Sequence, residues 1–269
     1  FTVTTTRPSE RVTATVTATF SGAVTATLTV IPAAVPTFTS SGVTNGASFA
    51  SGLTPGSIVT IFGASLTRDV SGIVSAPSLP LPTVLRGTSV TMNGIAAPLF
   101  AVASVGGQDQ INLQVPYEVT GALTVNVVVT NNDVASSPVP VGVLVAHPGI
   151  FAAGDAGAIL HSDGRLVSPA NPAARGEVVL VYATGLGPVS LAPPTGRPAL
   201  SAPLSLTALT PVVTVGGLNA EVLFSGLAPG FVGLYQVNIR VPADAPSGNL
   251  DLTIQVGGQT SRAVRMAVQ

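Results

Sequence analysis

The sequence predicts an all-β fold made of two copies of one sandwich-sized unit, and three observations carry that prediction. Three blocks recur in the same order, offset by roughly 120 positions, as expected of a duplicated domain. Pro55-Gly56-Ser57-Ile58-Val59-Thr60-Ile61-Phe62 returns as Arg175-Gly176-Glu177-Val178-Val179-Leu180-Val181-Tyr182, with Leu66 and Leu186 closing each segment. Val90–Ala97 returns as Val213–Ala220, and Gln110-Ile111-Asn112 before Val115-Pro116 returns as Gln236-Val237-Asn238 before Val241-Pro242. Apolar and polar residues also alternate with period two almost throughout, the pattern of half-buried strands. Finally, Gly, Asn and Asp turn signals punctuate the chain, and no segment longer than a turn carries helical periodicity.

Taken in order, residues 1–31 supply about three strands. Phe1–Thr6 reads as one. In the next, Val12, Ala14, Val16, Ala18 and Phe20 point one way while Thr13, Thr15, Thr17 and Thr19 point the other. Ser21-Gly22 makes a turn and Thr25–Val30 return as the second arm of a hairpin. So few strands cannot enclose a core. Yet Val12, Val16, Phe20, Val24 and Leu28 form a clean apolar face whose burial is worth about 1.5–3 kcal/mol per side chain. Two outcomes are expected. Either strands outside this chain complete the sandwich within a longer tandem protein, or the segment completes a sandwich in a neighbouring molecule by β-strand addition. The second is a head-to-tail contact, and one that does not close grows into a filament.

Residues 32–38, with Pro32 and Pro36, read as a stiff linker. Residues 39–147 form the first sandwich, with strands expected at Ile58–Phe62, Ser89–Asn93, Ala97–Val102, Gln110–Val115, Leu123–Thr130 and Val134–Val145. Asn93-Gly94 and Asn131-Asn132-Asp133 are hairpin turns, since Asn, Asp and Gly tolerate positive φ. Residues 148–174 differ from both repeats and read as a connecting β-hairpin. It has arms Ala158–His161 and Arg165–Val167 about a Ser162-Asp163-Gly164 turn, and is expected as a wedge between the sandwiches. Residues 175–269 form the second sandwich, with strands at Glu177–Ala183, Val212–Val215, Ala220–Ser225, Leu234–Val241, Leu250–Val256 and Arg262–Val268. Such short, evenly spaced strands favour an immunoglobulin-like arrangement.

At this point the chain resembles known families. The 55–63 segment, the Asn93-Gly94 turn and the Gln-x-Asn…Val-Pro strand resemble IPT/TIG immunoglobulin-like domains. Four segments resemble, more specifically, an uncharacterised Solibacter-type C-terminal domain family, a likeness covering about residues 40–269. They are Gly42–Phe49, Asn171–Gly176, Ala183–Val189 and Ala228–Gln236. Residues 1–31 resemble the closing strands of a bacterial Ig-like domain. The resemblance implies a place at the C-terminal end of large exported bacterial proteins, extracellular or on the cell surface, and brings no catalytic residues.

Composition narrows the chemistry. Of 269 residues, 46% are hydrophobic and only 8% charged, so little repulsion keeps molecules apart. That suits a protein packed against copies of itself or against other β-domains. A net charge of -1 gives no case for nucleic acid, which needs clustered positive charge. Mean hydropathy is +0.59, yet Gly, Pro and Thr break every run short of the ~20 apolar residues of a membrane helix, so no membrane insertion is expected. The chain opens at Phe1 without a leader, the form expected of a mature or trimmed product. Lys and Cys are both absent, which removes Schiff-base lysines, disulfides and thiolate chemistry.

His147 and His161 are the two histidines, neither is near a Gly-x-Ser-x-Gly elbow, and both read as surface or interface packing residues. The eleven acids are scattered; Asp155 and Asp163 flank the connecting hairpin, but without the spacing of a calcium loop. No catalytic residue, metal ligand or cofactor site is therefore assigned. The remaining polar candidate is the pair Gln110/Asn112 with its copy Gln236/Asn238, each pair on one face of a strand. Such amides bind sugars, pair with another strand, or satisfy loop backbone. Aromatics at 4% with no Trp leave a polysaccharide partner short of stacking platforms. The function expected is an extracellular structural or cell-surface module without catalysis, one form of which is a subunit of a filament assembled by β-strand addition; the competing expectation is a polysaccharide-binding or adhesion module.

Overall fold

The computed structural model describes Pro8 and residues 11–19, 21–30 and 33–269. The expected Phe1–Thr6 strand and the Phe20 position of the apolar face lie outside these residues. The chain divides into two compact units, Phe1–Val35 and Pro36–Gln269.

In the first unit, β1 (Val12–Thr19) and β2 (Ala23–Val30) pair antiparallel and, among the described residues, only with each other. The register sets Val12 opposite Val30, Ala14 opposite Leu28, Val16 opposite Ala26 and Ala18 opposite Val24. Because side chains alternate across a strand, one face is wholly apolar, while the other carries the threonine pairs Thr13–Thr29, Thr15–Thr27 and Thr17–Thr25.

The second unit is all β apart from one 3-10 turn at Tyr117–Val119. Its first sandwich runs through β3 (Thr37–Asn45), β4 (Ile58–Ala64), β5 (Gly72–Ser75), β6 (Val84–Leu85), β7 (Thr88–Met92), β8 (Ile95–Ala96), β9 (Leu99–Val105), β10 (Gln108–Gln114), β11 (Thr124–Asn131), β12 (Val134–Ala135) and β13 (Val139–Gly142). One sheet is ordered β3-β4-β10-β9-β5; the other centres on β11 and β7. The faces turned together carry Val59, Ile61, Ile111 and Leu113 from one sheet and Val90, Met92, Val127 and Val129 from the other, all fully buried.

The second sandwich follows with β14 (Gly149–Ile150), β15 (Ala152–Ala153), β16 (Ala156–Gly157), β17 (Ile159–His161), β18 (Val178–Thr184), β19 (Val212–Val215), β20 (Leu218–Leu227), β21 (Tyr235–Arg240), β22 (Gly248–Val256), β23 (Gln259–Thr260) and β24 (Val264–Val268). Its core is a separate cluster containing Val179, Val181, Val213, Val215, Tyr235, Val237, Leu252 and Ile254. Together these are tandem immunoglobulin-like sandwiches preceded by a β-hairpin.

The duplication extends to single hydrogen bonds. Gly56 N donates to Val115 O and Val115 N to Ser57 O; Gly176 N and Val241 N make the same two bonds in the second copy, all at 2.9 Å. The serines after the β11–β12 and β22–β23 turns are also equivalent: Ser136 Oγ accepts from Val129 N, and Ser261 Oγ from Ile254 N. The copies differ where the chain crosses between sheets. Pro98, which lacks an N–H, separates β8 from β9. In the second copy β20 runs on, pairing with β19 and then β21 through a bulge between Val222 and Phe224.

Three expectations need correction. The 148–174 segment is not a wedge. Its hairpin forms, with His161 N on Arg165 O and Val167 N on Ile159 O, both at 2.9 Å. However, β14 and β17 pair along the open edge of β18, β16 pairs parallel to β24, and Ile150, Ile159, Val167 and Ala173 enter the second core. An open edge of unpaired N–H and C=O groups is a template for neighbouring chain. The linker is shorter than expected, because Thr37 and Phe38 already pair with Ala64 and Gly63. The single strand expected over Val134–Val145 is interrupted at Pro138, leaving β12 and β13.

Candidate functional site

Two features lie where the sandwiches of the second unit meet: a polar joint and, at its rim, an apolar groove. The joint is built from side chains that finish hydrogen bonds the sheets leave open. Thr184, at the end of β18 and fully buried, accepts from Ile58 N at 2.9 Å and donates to Gly233 O at 3.1 Å. One hydroxyl therefore ties the first residue of β4 to a loop of the other sandwich. Asn45, ending β3, accepts from Ala47 N and Ser48 N through Oδ1 and donates through Nδ2 to His147 O at 2.8 Å. His147 N in turn donates to Gly185 O at 2.8 Å. Gln114, ending β10 and fully buried, accepts from Gly196 N at 2.7 Å. Thr195 accepts from Tyr117 N at 3.1 Å and donates to Glu118 Oε2 at 2.6 Å.

The close approach depends on glycine. Gly185 has φ +75°, and a Cβ there would lie 2.2 Å from His147 O. Gly56 has φ +78°, and a Cβ there would lie 2.1 Å from the Tyr117 ring. The two tyrosines at this joint are held protonated, because burial raises both above the ordinary tyrosine range. Tyr235 donates to Gly187 O at 2.5 Å, while the buried Tyr117 hydroxyl has no partner among the described residues. Burial lowers the His147 pKa, with the Gly52 backbone opposing it, which favours the neutral imidazole.

The groove has a volume of about 440 Å³. Tyr117, Leu123, Val143 and Val145 from the first sandwich face Pro188 and Val189 from the second, and none of its lining residues is charged. Leu123 is 87% and Val145 68% exposed. Through Ala192 the groove adjoins a second hollow of about 400 Å³ that includes the exposed Leu191 and Leu200.

The sequence-chosen amides lie elsewhere, on the outer faces of β10 and β21, half-buried. Gln110 Nε2 donates to Asn112 Oδ1 at 2.7 Å, and Thr60 Oγ1 donates to the same oxygen at 2.9 Å. Gln236 Nε2 repeats the bond to Asn238 Oδ1 at 2.8 Å. They bond to each other rather than to loop backbone. On the hairpin face, Val12 and Val24 are exposed and Val16 and Leu28 half-buried. His161 is not a surface residue. Nδ1 meets Glu177 Oε1 at 2.5 Å and Nε2 meets Asn171 O at 3.2 Å. Both partners accept, so the imidazolium fits best, and Glu177 raises its pKa.

Sequence reading missed Thr184, Asn45 and Gln114. Aligning the repeats points to two of them: Thr184 stands where the first copy has Ala64, and Gln114 where the second has Arg240. Among the described residues no three His, Asp or Glu side chains come together as a metal site, and no helix is long and apolar enough to cross a membrane.

No protein-family model matches the chain, and no curated protein sequence matches it. Among solved structures it is similar to SGBP-B of the Bacteroides ovatus mixed-linkage glucan utilization locus, in complex with a mixed-linkage heptasaccharide. Identity there is 12% and TM-score 0.34, over 92% of this chain and 49% of that one. It is similar to the I9-I11 tandem of titin at 10% identity and TM-score 0.26, over 98% and 75%. The Escherichia coli adhesin FdeC gives 12% and 0.26, over 91% and 68%. The chain spans about half the length of the SGBP-B chain. Likenesses this distant carry no functional argument.

Proposed function

We propose that the chain is a non-catalytic structural module of the bacterial cell surface, of the Solibacter-type C-terminal kind, that joins to further copies of itself by β-strand addition. The observation carrying this reading is the β1–β2 hairpin, whose apolar face is exposed at Val12 and Val24 and half-buried at Val16, Leu28 and Val30, and whose outer edges are unpaired among the described residues. Val24 alone is 72% exposed. An isolated two-stranded hairpin is marginal in water, so a neighbour that pairs its edges and covers its valines supplies most of its stability. The low charge of the chain favours such contacts, since little electrostatic repulsion opposes them. The polysaccharide reading would rest on the amide pairs, and each pair already spends a donor and an acceptor internally.

Sedimentation velocity of the full chain against a chain beginning at Pro36, across a range of concentrations, tests the reading. The full chain should associate with rising concentration while the shortened chain stays folded and monomeric. A full chain that is monomeric throughout, or a shortened chain that associates equally well, overturns it.

A further inference from the structure

We propose that the surface receiving the hairpin is the apolar groove at the rim of the inter-sandwich joint, and that its occupant is the β1–β2 apolar face of a second copy of this chain. The inference rests on the self-joining reading above and assigns the receptor of the apolar face alone, leaving the hairpin's edges free for strand addition.

Polarity is the first argument. The groove between Leu123, Val145 and Pro188 carries no charged residue. From Val12 to Val30 the hairpin carries none either, being Thr, Ala, Val, Ser, Gly, Leu and Phe throughout. A charged partner would lose its hydration in the groove without finding a counter-charge, which is costly, whereas this face loses nothing of the kind. Its other face, the threonine pairs, remains able to meet water.

Relief is the second argument. Across the hairpin Leu28 stands opposite Ala14, Val16 opposite Ala26 and Val24 opposite Ala18. Toward the turn Val16 and Val24 therefore stand apart with alanines between them, while Val12, Val30 and Leu28 form one continuous ridge at the open end, a relief suited to a groove rather than to a flat sheet. An eight-residue strand spans about 26 Å, enough to cover more than one hollow. Through Ala192 the 440 Å³ groove adjoins the 400 Å³ hollow beside Leu191 and Leu200, whose lining includes one charged residue, Arg197. Contiguous apolar surface of this extent, with Leu123 almost wholly exposed, marks an interaction site. Donor and receptor are different patches of one chain, so the contact is heterologous and repeats from copy to copy.

The chain has no cysteine, so engineered pairs give an unambiguous test. One chain carries Val24→Cys and a second carries Leu123→Cys; they are mixed and oxidised. A cross-linked heterodimer is expected, and none when Val24→Cys is mixed with Gln259→Cys, an exposed position on β23. Equal cross-linking to both overturns the proposal. In parallel, Leu123→Asp with Val145→Asp should weaken association of the full chain at least tenfold with its thermal midpoint unchanged, both positions being exposed. If that variant still associates in a hairpin-dependent way, the groove is the wrong receptor although self-joining stands. If deleting the hairpin leaves association unchanged, both readings fall together.

Discussion

Thr184→Val is the sharpest probe of the joint, because valine copies the shape of threonine and deletes only the hydroxyl. In the folded chain that hydroxyl serves Ile58 N and Gly233 O at once, at a fully buried position. Removing it strands one donor and one acceptor away from water, each costing about 1–3 kcal/mol. The added methyl leaves no cavity, so the loss should be about 2–6 kcal/mol. For a unit of this size each kcal/mol moves Tm by about 2–4 °C, which puts the expected fall at about 4–24 °C. Thr184→Ser keeps both hydrogen bonds and deletes one methyl, for about 1 kcal/mol. Urea titration with fluorescence or circular dichroism measures both variants. A valine variant within about 0.5 kcal/mol of the parent, or a serine variant worse than valine, would refute the bridging role of Thr184.

Other consequences follow from the same geometry. Gly56→Ala and Gly94→Ala impose the same left-handed strain, φ being +78° and +81°, but a Cβ at Gly94 meets nothing within 4 Å. Gly94→Ala should therefore cost about 1–2 kcal/mol and Gly56→Ala clearly more, through the Tyr117 ring, as read by urea midpoints. Glu177 raises the His161 pKa, with burial and then Arg165 opposing, so the charged folded form is favoured. That stabilisation is complete below the ordinary histidine value of about 6.5 and fades as pH rises through the higher folded value. Tm should accordingly fall as pH rises above about 6.5, and His161→Gln should flatten that slope; an unchanged slope contradicts the assignment. Asn112→Ala removes the shared acceptor of Gln110 and Thr60 on a half-buried face and should cost about 1 kcal/mol, with the fold retained by circular dichroism.

Much of the architecture is legible in the sequence because it rests on local patterns. The Pro55-Gly56 and Arg175-Gly176 turns, the Asn93-Gly94 turn and the alternation around Ile111 and Val237 all appear as strands or turns in the structure. What escapes has physical reasons. β3 reads Thr-Phe-Thr-Ser-Ser-Gly-Val-Thr-Asn, and its register slips between Phe38 and Val43, so no period survives. β14, β15 and β16 are two residues each, held by the edges they join rather than by their own pattern. The joint is less visible still, since Ile58 and Thr184, or Gln114 and Gly196, meet across long stretches of chain. The signal it leaves is asymmetry. Thr184 stands against Ala64 and Gln114 against Arg240, so each copy carries at the joint a side chain that its counterpart lacks. The groove leaves no spacing signature, because its walls come from both copies and from the proline-rich loop between Pro188 and Pro203.

The most direct test of self-joining is hydrogen exchange of the β1 and β2 amides, followed by mass spectrometry at increasing chain concentration. A hairpin covered by a neighbouring copy should exchange within seconds when dilute and become protected as concentration rises, in step with protection around Leu123 and Val145. Protection of β1 and β2 that is independent of concentration, or absent at every concentration, would contradict the account.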